Sequence, residues 1–382
     1  MRLMVINRRE FLVSSLSVGS GAIIDGFLPD LAHASEPKDR LSLFAAARRI
    51  QTETSHAYSA ALFTPQGDVR SVPLPGRGHD VAVRNLSDTS KVEVVAFARR
   101  PGNFAVVFSP DKKQKPFHFF AKQTRHFYGH GVFSPDGKLL YTTENDYENG
   151  VGVLGVRDAT NGYKQIGEFS SFGIGPHDMA LLDDGETLVI ANGGIETSPE
   201  FGRQILNLTE MEPSLVYINR YTGELLEKQT LPKSLHQLSI RHLTVASKNR
   251  VVFGCQFKGV KTLHPPLMGF HDRGRQVKLA QAPEEINRLM NNYVGSVTVD
   301  TSGEVIAASC PRSNMITYWD AANQRFLGTR ELKDGCGVAR TQNTGEFLQT
   351  SGVGHVSLST PAQTQFERFD NVQWDNHAVF VR

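Results

Sequence analysis

The sequence has few cysteines, few tryptophans and few stretches typical of helices. Its 382 residues include three cysteines and two tryptophans. The cysteines, Cys255, Cys310 and Cys336, match no CxxC metal or redox motif, and an odd number cannot all pair. We therefore expect a fold that does not depend on disulfide bonds.

The sequence also lacks a strong charge imbalance and the common catalytic motifs. Its formal net charge is +2, and lysine and arginine are spread along the chain. A nucleic-acid surface would need a concentrated basic face, so no nucleic-acid partner is expected. No GxSxG elbow, P-loop or HExxH motif occurs. These absences remove the simplest assignments to a hydrolase, a nucleotide-binding protein or a zinc protease.

Residues 1–34 are predicted to be a twin-arginine export signal. Arg8 and Arg9 precede a mildly apolar stretch, Leu12–Leu28, which ends before the small-x-small cleavage pattern at residues 32–34. The stretch contains Asp25 and is too short and polar for a stable membrane span. This order predicts export to the periplasm and a mature domain of residues 35–382. A cytoplasmic amphipathic N-terminus with a chance arginine pair is the alternative.

A strand–turn–strand unit recurs along the mature chain. Residues 130–141 and 177–190 each contain a short apolar strand, an Asp-Gly turn and a second strand. The seven recurring units start at His79, His130, His177, His242, Gly295, Cys336 and His377. Successive starts are separated by 51, 47, 65, 53, 41 and 41 residues, by subtraction of these positions. Spacing of this size is typical of four-stranded propeller blades and predicts one all-β, seven-bladed β-propeller.

The last unit is incomplete, which predicts how the ring closes. Only its first strand fits before the chain ends at Arg382. The missing outer strands are expected from residues 58–63 and 69–74, near the mature N-terminus. A pair of β-sandwiches is the competing fold, but it explains neither the sevenfold recurrence nor the incomplete last unit.

Two segments lengthen the repeat. Residues 196–213 lie between the third and fourth starts, and residues 262–292 lie between the fourth and fifth. The second segment contains a helix candidate, residues 280–290, with Pro283 near its first turn. Long connections on a repeat scaffold carry function or pack across a channel mouth, and both interpretations are open here.

Histidine occupies five of the seven starts, and this recurrence indicates a site. The first strand of each propeller blade lines the central channel, so residues at matching positions approach the axis at similar height. The candidate channel ligands are His79, His130, His177, His242, Cys336 and His377. A metal such as iron or copper is the expected cofactor, with His130, His177 and His242 as its first candidate ligands. Asp80, Asp178 and Asp375 are placed to orient the rings.

Other interpretations of these residues stay open. Inner-strand histidines in repeat proteins often bond a neighbouring blade and act only as structural staples. Because a one-residue shift in a strand reverses the side it faces, the sequence does not fix whether the rings converge. Cys336 is a candidate nucleophile only if His377 lies near enough to act as its base.

Two further groups of polar residues are weaker candidates. Glu144 and Asp146 follow a strand and face either the channel mouth or solvent. Arg203, His271 and Arg273 lie in the two lengthened segments and are candidates for binding an anion, although lone loop arginines are more often surface charges.

Six segments resemble those of one family. They are residues 133–146, 173–178, 191–195, 213–216, 238–243 and 374–377. Together they resemble the DUF1513 family of exported bacterial proteins, over roughly residues 59–381. The resemblance implies a YVTN/WD40-like propeller and a periplasmic role around iron, with imelysin-type or haem-containing peroxidase-like proteins as partners. It supplies no catalytic residues.

A looser resemblance connects residues 130–141 to seven-bladed lactonases of the phosphogluconolactonase type. We interpret it as common propeller ancestry. Three functions follow as hypotheses. A metal-binding protein of an iron-uptake system is favoured over a lactonase-like hydrolase or metal-dependent oxidoreductase, and over a scaffold with structural histidines. The substrate, partner and oligomeric state are not fixed by the sequence.

Overall fold

The computed structural model describes residues 42–51, 55–85 and 92–382. In this part, the chain forms seven antiparallel sheets of four strands each. The predicted all-β, seven-bladed propeller is therefore confirmed. The predicted export signal, residues 1–34, lies outside the described residues. No helix in the described part is long and apolar enough to cross a membrane.

One strand of each sheet lines the centre of the ring. These inner strands are β4 (Gly78–Asn85), β8 (Arg125–Phe133), β12 (Pro176–Leu181), β16 (Leu238–Ala246), β20 (Ser296–Val299), β24 (Gly335–Arg340) and β28 (Gln373–Phe380). Each contacts the next around the ring, and β28 contacts β4, which closes the circle. Six of the predicted repeat starts lie in these strands, and Gly295 immediately precedes β20.

Three further strands complete each blade. The second strands are β5 (Val92–Ala98), β9 (Leu139–Asp146), β13 (Thr187–Asn192), β17 (Arg250–Phe257), β21 (Val305–Cys310) and β25 (Phe347–Ser351). The third strands are β6 (Phe104–Phe108), β10 (Val151–Asp158), β14 (Ser214–Asn219), β18 (Met268–His271), β22 (Met315–Asp320) and β26 (His355–Ser359). The outer strands are β7 (Phe117–Phe120), β11 (Lys164–Ser170), β15 (Leu225–Thr230), β19 (Lys278–Ala280), β23 (Arg325–Glu331) and β27 (Thr364–Phe369).

The burial of these strands reflects radial packing. Every residue of β13 is buried, whereas exposed and half-buried residues make up β15 at the rim of the same blade. Middle strands are buried because neighbouring blades cover both of their faces. The hydrophobic core is thus divided among the interfaces between blades, which leaves the channel to polar residues.

The last blade joins the two ends of the described chain. Its strand order is β28, β1 (Phe44–Gln51), β2 (His56–Thr64) and β3 (Gly67–Leu74). Closure by N-terminal strands is confirmed, but three such strands contribute instead of the two expected. The missed strand, β1, contains Ala45, Ala46 and Ala47, and alanine is depleted in strands. Its tertiary pairing with β28 overrides that weak local preference.

The two lengthened segments differ in the structure. Residues 196–213 connect β13 to β14. Residues 262–292 contain β18 and β19, so much of this stretch is the outer half of an ordinary blade. The predicted helix is present but shorter, as α1 (Glu284–Leu289). Short 3₁₀ turns occupy Pro199–Phe201, Lys233–Leu235, Ser247–Asn249 and Pro311–Ser313.

Candidate metal site in the central channel

Five histidines from five blades converge in the channel. They are His79, His130, His177, His242 and His377. Nine pairs of their rings have centroids between 4.6 and 6.5 Å apart. None of the five residues is more than 6% exposed. The cluster is therefore compact and shielded from bulk solvent.

Irregular pairing of the inner strands accompanies this convergence. A β-bulge or register shift lies at or directly beside each of the five histidines and at Cys336. Bulges re-aim the side chains of a strand and are frequent beside functional sites. By contrast, β20 pairs regularly with β21, and Gly295 carries no side chain into the channel. The irregularities thus coincide with the residues that must point inward.

Glycine at position 129 makes room for one of the rings. A Cβ atom there would lie 2.5 Å from Cδ2 of His79, and the backbone φ of Gly129 is +104°. Side chains other than hydrogen are disfavoured both by this contact and by the left-handed conformation. Gly129 therefore permits His79 to approach its neighbouring blade.

The histidines form two overlapping groups of three. One contains His79, His130 and His377, and the other contains His130, His177 and His242. In each group the candidate ligand nitrogens all lie within 4.8 Å of one another. Since His130 belongs to both, it is the residue on which either metal position depends.

Each of the five rings leaves a buried nitrogen without a hydrogen-bond partner in the protein. The atoms are His79 Nδ1, His130 Nε2, His177 Nδ1, His242 Nδ1 and His377 Nε2. Most buried polar groups in proteins find a partner, and a recurring set without one points to a ligand. A bound metal ion would supply partners for several of these atoms together.

Two carboxylates hold the other side of the His130 ring. Nδ1 lies 2.9 Å from Asp80 Oδ2 and 3.2 Å from Asp178 Oδ1. Burial acts to lower the pKa of His130, but the charges and hydrogen bonds of Asp178 and Asp80 outweigh it and raise the pKa to about 10. This carboxylate–histidine contact fixes a proton on Nδ1, which directs Nε2 toward a metal.

The remaining rings are neutral near pH 7. Burial, together with the charges of nearby histidines and arginines, lowers the pKa values of His79, His177 and His242 well below the usual range. Burial also lowers the pKa of His377 to about 4, against the opposing effect of Asp80. Neutral imidazoles bind a metal without first losing a proton. A set of imidazoles suits iron, copper, nickel or zinc and not magnesium or calcium.

Asp375 also lies beside the cluster, but its strongest contacts are with arginine. Its carboxylate accepts hydrogen bonds from Arg77 Nε at 2.6 Å and from Arg99 at 3.2 Å. His79 Nδ1 is 3.8 Å away, beyond hydrogen-bond distance. Of the three predicted orienting carboxylates, the structure thus brings Asp80 and Asp178 to the ring of His130 and leaves Asp375 paired with cations.

Cys336 is separated from the metal groups by its chemistry. Its thiol donates to the carbonyl oxygen of Asp334 at 3.0 Å. Burial and the negative charge of Asp334 raise the pKa of Cys336 well above its usual value. Only a thiolate is a good nucleophile or metal ligand, so this protonated thiol is a poor candidate for either role.

Four of the other predicted site residues lie away from the channel. Glu144 is fully buried within its blade and pairs with Arg157 at 2.9 Å, while Asp146 of the same strand pairs with Arg125 at 3.1 Å. His271 is a buried residue of β18 whose Nδ1 lies 2.6 Å from the hydroxyl of Tyr217. Arg273, two residues further on, has a side chain 43% exposed. These contacts are structural, so the proposed grouping of Arg203 with His271 and Arg273 does not occur.

A basic cavity borders one side of the histidine cluster. It has a volume of about 490 Å³ and is bounded by His79, His177 and His242. Its cationic lining consists of Arg99, Arg100, Arg203, Arg241, Arg312 and Lys258. Arg203 is thus the one predicted anion-binding candidate that reaches the channel.

An acidic cavity borders the other side. It has a volume of about 400 Å³, and Asp80, Asp178 and His377 line it. Along β8 and β16, the residues of the basic cavity lie at or before the histidine, whereas those of the acidic cavity follow it. The histidines therefore separate two chemically different spaces.

Most of the basic residues were missed by sequence reasoning. Arg241 directly precedes His242, and Arg99 and Arg100 form an adjacent pair at the end of β5. The position of Arg241 beside a repeat start was the available signal. The others come from connections that do not repeat, so no periodic pattern marks them.

The fold and the site together define a seven-bladed propeller with a histidine-lined channel. The chain belongs to the family described as "Protein of unknown function (DUF1513)", whose sequence profile matches residues 72–381. The resemblance in the sequence is thereby confirmed. No relative was found among curated proteins.

Solved structures support the fold. The chain is similar to "Kuenenia stuttgartiensis Hydrazine Synthase" with a TM-score of 0.61 and 12% identity, over 80% of this chain and 92% of that one. It is also similar to a chain of "Crystal Structure of Mitotic Checkpoint Complex", with a TM-score of 0.53 and 11% identity, over 76% and 79% of the two chains. At such low identity these likenesses show the fold alone.

Proposed function

We propose that this protein is an exported propeller that binds a transition metal ion, iron or copper, through its channel histidines and serves in iron uptake. The observation that carries the proposal is the convergence of five buried histidines in two groups that share His130. The predicted twin-arginine signal supports export to the periplasm. The resemblance to a family associated with imelysin-type and peroxidase-like proteins supports a role around iron.

The contacts favour metal binding over a purely structural role for the histidines. A staple would place its ring nitrogens on backbone or side-chain partners of the next blade. Here each ring keeps one buried nitrogen without a partner in the protein. Leaving a buried polar group unsatisfied costs about 1–3 kcal/mol. A metal ion offsets that cost for several rings at once.

The same contacts favour binding over catalysis. General acid–base chemistry needs a carboxylate or imidazole that is free to exchange a proton with a substrate. Asp80 and Asp178 are both engaged with His130. The pKa of His130 is about 10, too high for a base near pH 7. The cluster is thus better suited to hold an ion than to transfer protons.

Calorimetric titration tests the proposal. The purified chain, without a polyhistidine tag and freed of metal, is titrated with Fe²⁺, Cu²⁺, Zn²⁺ and Mg²⁺. We expect transition-metal binding, no binding of Mg²⁺, and a loss of at least about 100-fold in affinity for His130→Gln, because ligand loss should exceed the 10- to 100-fold cost of losing an outer partner. Comparing His177→Ala/His242→Ala with His79→Ala/His377→Ala shows which group holds the ion.

A buried histidine outside the cluster provides the control. His126 lies on the same strand as His130, and both of its ring nitrogens have protein partners, Phe127 O and Asn145. His126→Gln should leave metal affinity unchanged. Full metal binding by His130→Gln, or no transition-metal binding by the parent protein, would overturn the proposal.

A metal-dependent enzyme is the second candidate. It is favoured by the basic cavity, which reaches His79, His177 and His242 and so gives a small molecule access to a bound ion. Metal-loaded protein would then turn over members of lactone or peroxidase substrate panels, and single histidine substitutions would abolish that turnover. Absence of turnover across both panels would contradict this candidate and leave the binding protein in place.

A further inference from the structure

The basic cavity carries an excess of positive charge with little to neutralise it. In the described part of the chain, no carboxylate lies within 4.0 Å of the cationic groups of Arg100, Arg203, Arg241, Arg312 or Lys258. Arg99 pairs with Asp375, and Asp334 is the carboxylate residue in the lining. Like charges packed in a cavity repel one another unless an anion is bound.

Arg241 is the most informative of these residues. It is only 8% exposed, and its Nε has no hydrogen-bond partner in the protein. Burial, followed by the charge of Arg100, lowers the pKa of Arg241 to about 10, so the side chain remains a cation near pH 7. An unpaired buried charge is strongly destabilising, and such groups are normally paired or bind a ligand.

The other cations are held in place rather than free to fold away. Arg100 donates to Thr197 Oγ1 at 3.1 Å, and Lys258 Nζ donates to Gln256 Oε1 at 2.8 Å. The Arg312 guanidinium lies over the Tyr293 ring, 4.2 Å from its centroid. These neutral partners fix the side chains but leave their charges uncompensated.

We propose that this cavity binds a small polyanion, a di- or tricarboxylate or a phosphate, with one anionic group on Arg241. Arginine binds carboxylate and phosphate through paired hydrogen bonds, which suits this chemistry. A volume of about 490 Å³ accommodates a small molecule of this class. The site stands on the arginines alone and does not require the metal. If the metal is also bound, the anion lies against the same histidines.

The test is calorimetry on metal-free protein at constant ionic strength. Citrate, inorganic phosphate and acetate are titrated separately, and chelators are removed because they are polyanions themselves. We expect citrate or phosphate to bind at least about tenfold more tightly than acetate, since several charge-assisted contacts replace one. Whichever of the two binds more tightly identifies the anionic group. Affinity for both that does not exceed the affinity for acetate would overturn the proposal.

Arg241→Gln should weaken polyanion binding by about 10- to 100-fold, the effect of losing charge-assisted hydrogen bonds. It should also raise the melting temperature of the ligand-free protein, because it removes an unpaired buried cation. A structural role predicts a fall in melting temperature instead. Arg203→Gln, in the long connection, gives a second variant that does not disturb an inner strand.

The control is Arg340→Gln, which removes one positive charge from the acidic cavity on the opposite side of the histidines. Equal loss of polyanion binding in Arg340→Gln and Arg241→Gln would show a general charge effect and contradict a site at Arg241. Metal binding in anion-free buffer is measured separately. Failure of the anion site therefore leaves the metal proposal standing, and the reverse also holds.

Discussion

The two sides of the histidine cluster differ in charge although the same inner strands build both. Asp80 and Asp178 lie on one side and contact His130, whereas Arg241, Lys258 and further arginines lie on the other. The carboxylates stabilise positive charge at the histidines, and the guanidinium groups disfavour it unless an anion is present. The difference indicates a site built for a metal together with an anion.

The largest effect is expected on the acidic side. Asp80→Asn combined with Asp178→Asn should lower metal affinity by about 10- to 100-fold, because the carboxylates orient His130 and increase its basicity. Calorimetric titration with the best-binding metal measures the change. Asp183→Asn, an exposed residue of the β12–β13 turn, is the control and should have no effect. Unchanged affinity in the double variant would mean that the acidic side does not support the metal.

Gly129→Ala sharpens the comparison by displacing one ring without altering any charge. The added methyl group would contact His79, and overpacking of this kind costs about 1–3 kcal/mol. We expect about tenfold weaker metal binding if His79 is a ligand, together with a lower melting temperature. Gly162 also has a positive φ, but a Cβ atom there would contact nothing within 4 Å. Gly162→Ala should therefore lower stability without altering metal affinity.

On the basic side, a charge substitution should act on the metal in the opposite direction. Removing the Arg241 cation relieves repulsion of a metal ion at His177 and His242. Arg241→Gln should thus raise metal affinity in anion-free buffer by about 2- to 10-fold, by Coulomb's law at an intermediate effective dielectric constant. A fall in metal affinity would contradict the assigned roles of the two sides.

The smallest effect is a pH dependence of anion binding. Burial and the neighbouring charges of Arg241, Arg312, Arg100 and Arg203 lower the pKa of Lys258 to about 7. Other ionisable groups that line this cavity are His79, His177, His242, Arg99, Tyr128, Tyr293 and Asp334. A bound anion favours charged Lys258, so binding takes up a proton and weakens as pH rises through about 7.

Between pH 6 and pH 8.5 we expect citrate or phosphate affinity to fall by about 3- to 10-fold. Lys258→Met should bind more weakly at pH 6 and lose this part of the pH dependence. A parallel profile in Lys258→Met and the parent protein would assign the titration to another group. The same lowered pKa implies that Lys258 disfavours folding most at low pH, and that stability rises as pH increases from about 7 toward its unfolded value.

The architecture and the positions of the histidines were predictable because both depend on the repeat. Matching places in the blades bring His130, His177 and His242 to the same height in the channel. The inward orientation of these rings depends on bulges, which leave no clear periodic signal in the sequence. Strand β1 was missed because alanine is a weak strand former that is stabilised here by tertiary pairing.

The chemical partners of the site were less predictable. Asp80 and Asp178 were found because each adjoins a repeat start. Arg100, Arg203 and Lys258 come from different connections and a strand end, and only the closed ring brings them together. Sequence reasoning therefore located the cluster but not the asymmetry around it.

Element analysis by mass spectrometry on native protein, purified from periplasm without a metal-binding tag, tests the central claim most directly. The account predicts near-stoichiometric iron or copper in the parent protein and its loss in His130→Gln, with retention in His126→Gln. Metal-free protein that also refuses added metal would contradict it and reduce the five histidines to structural staples.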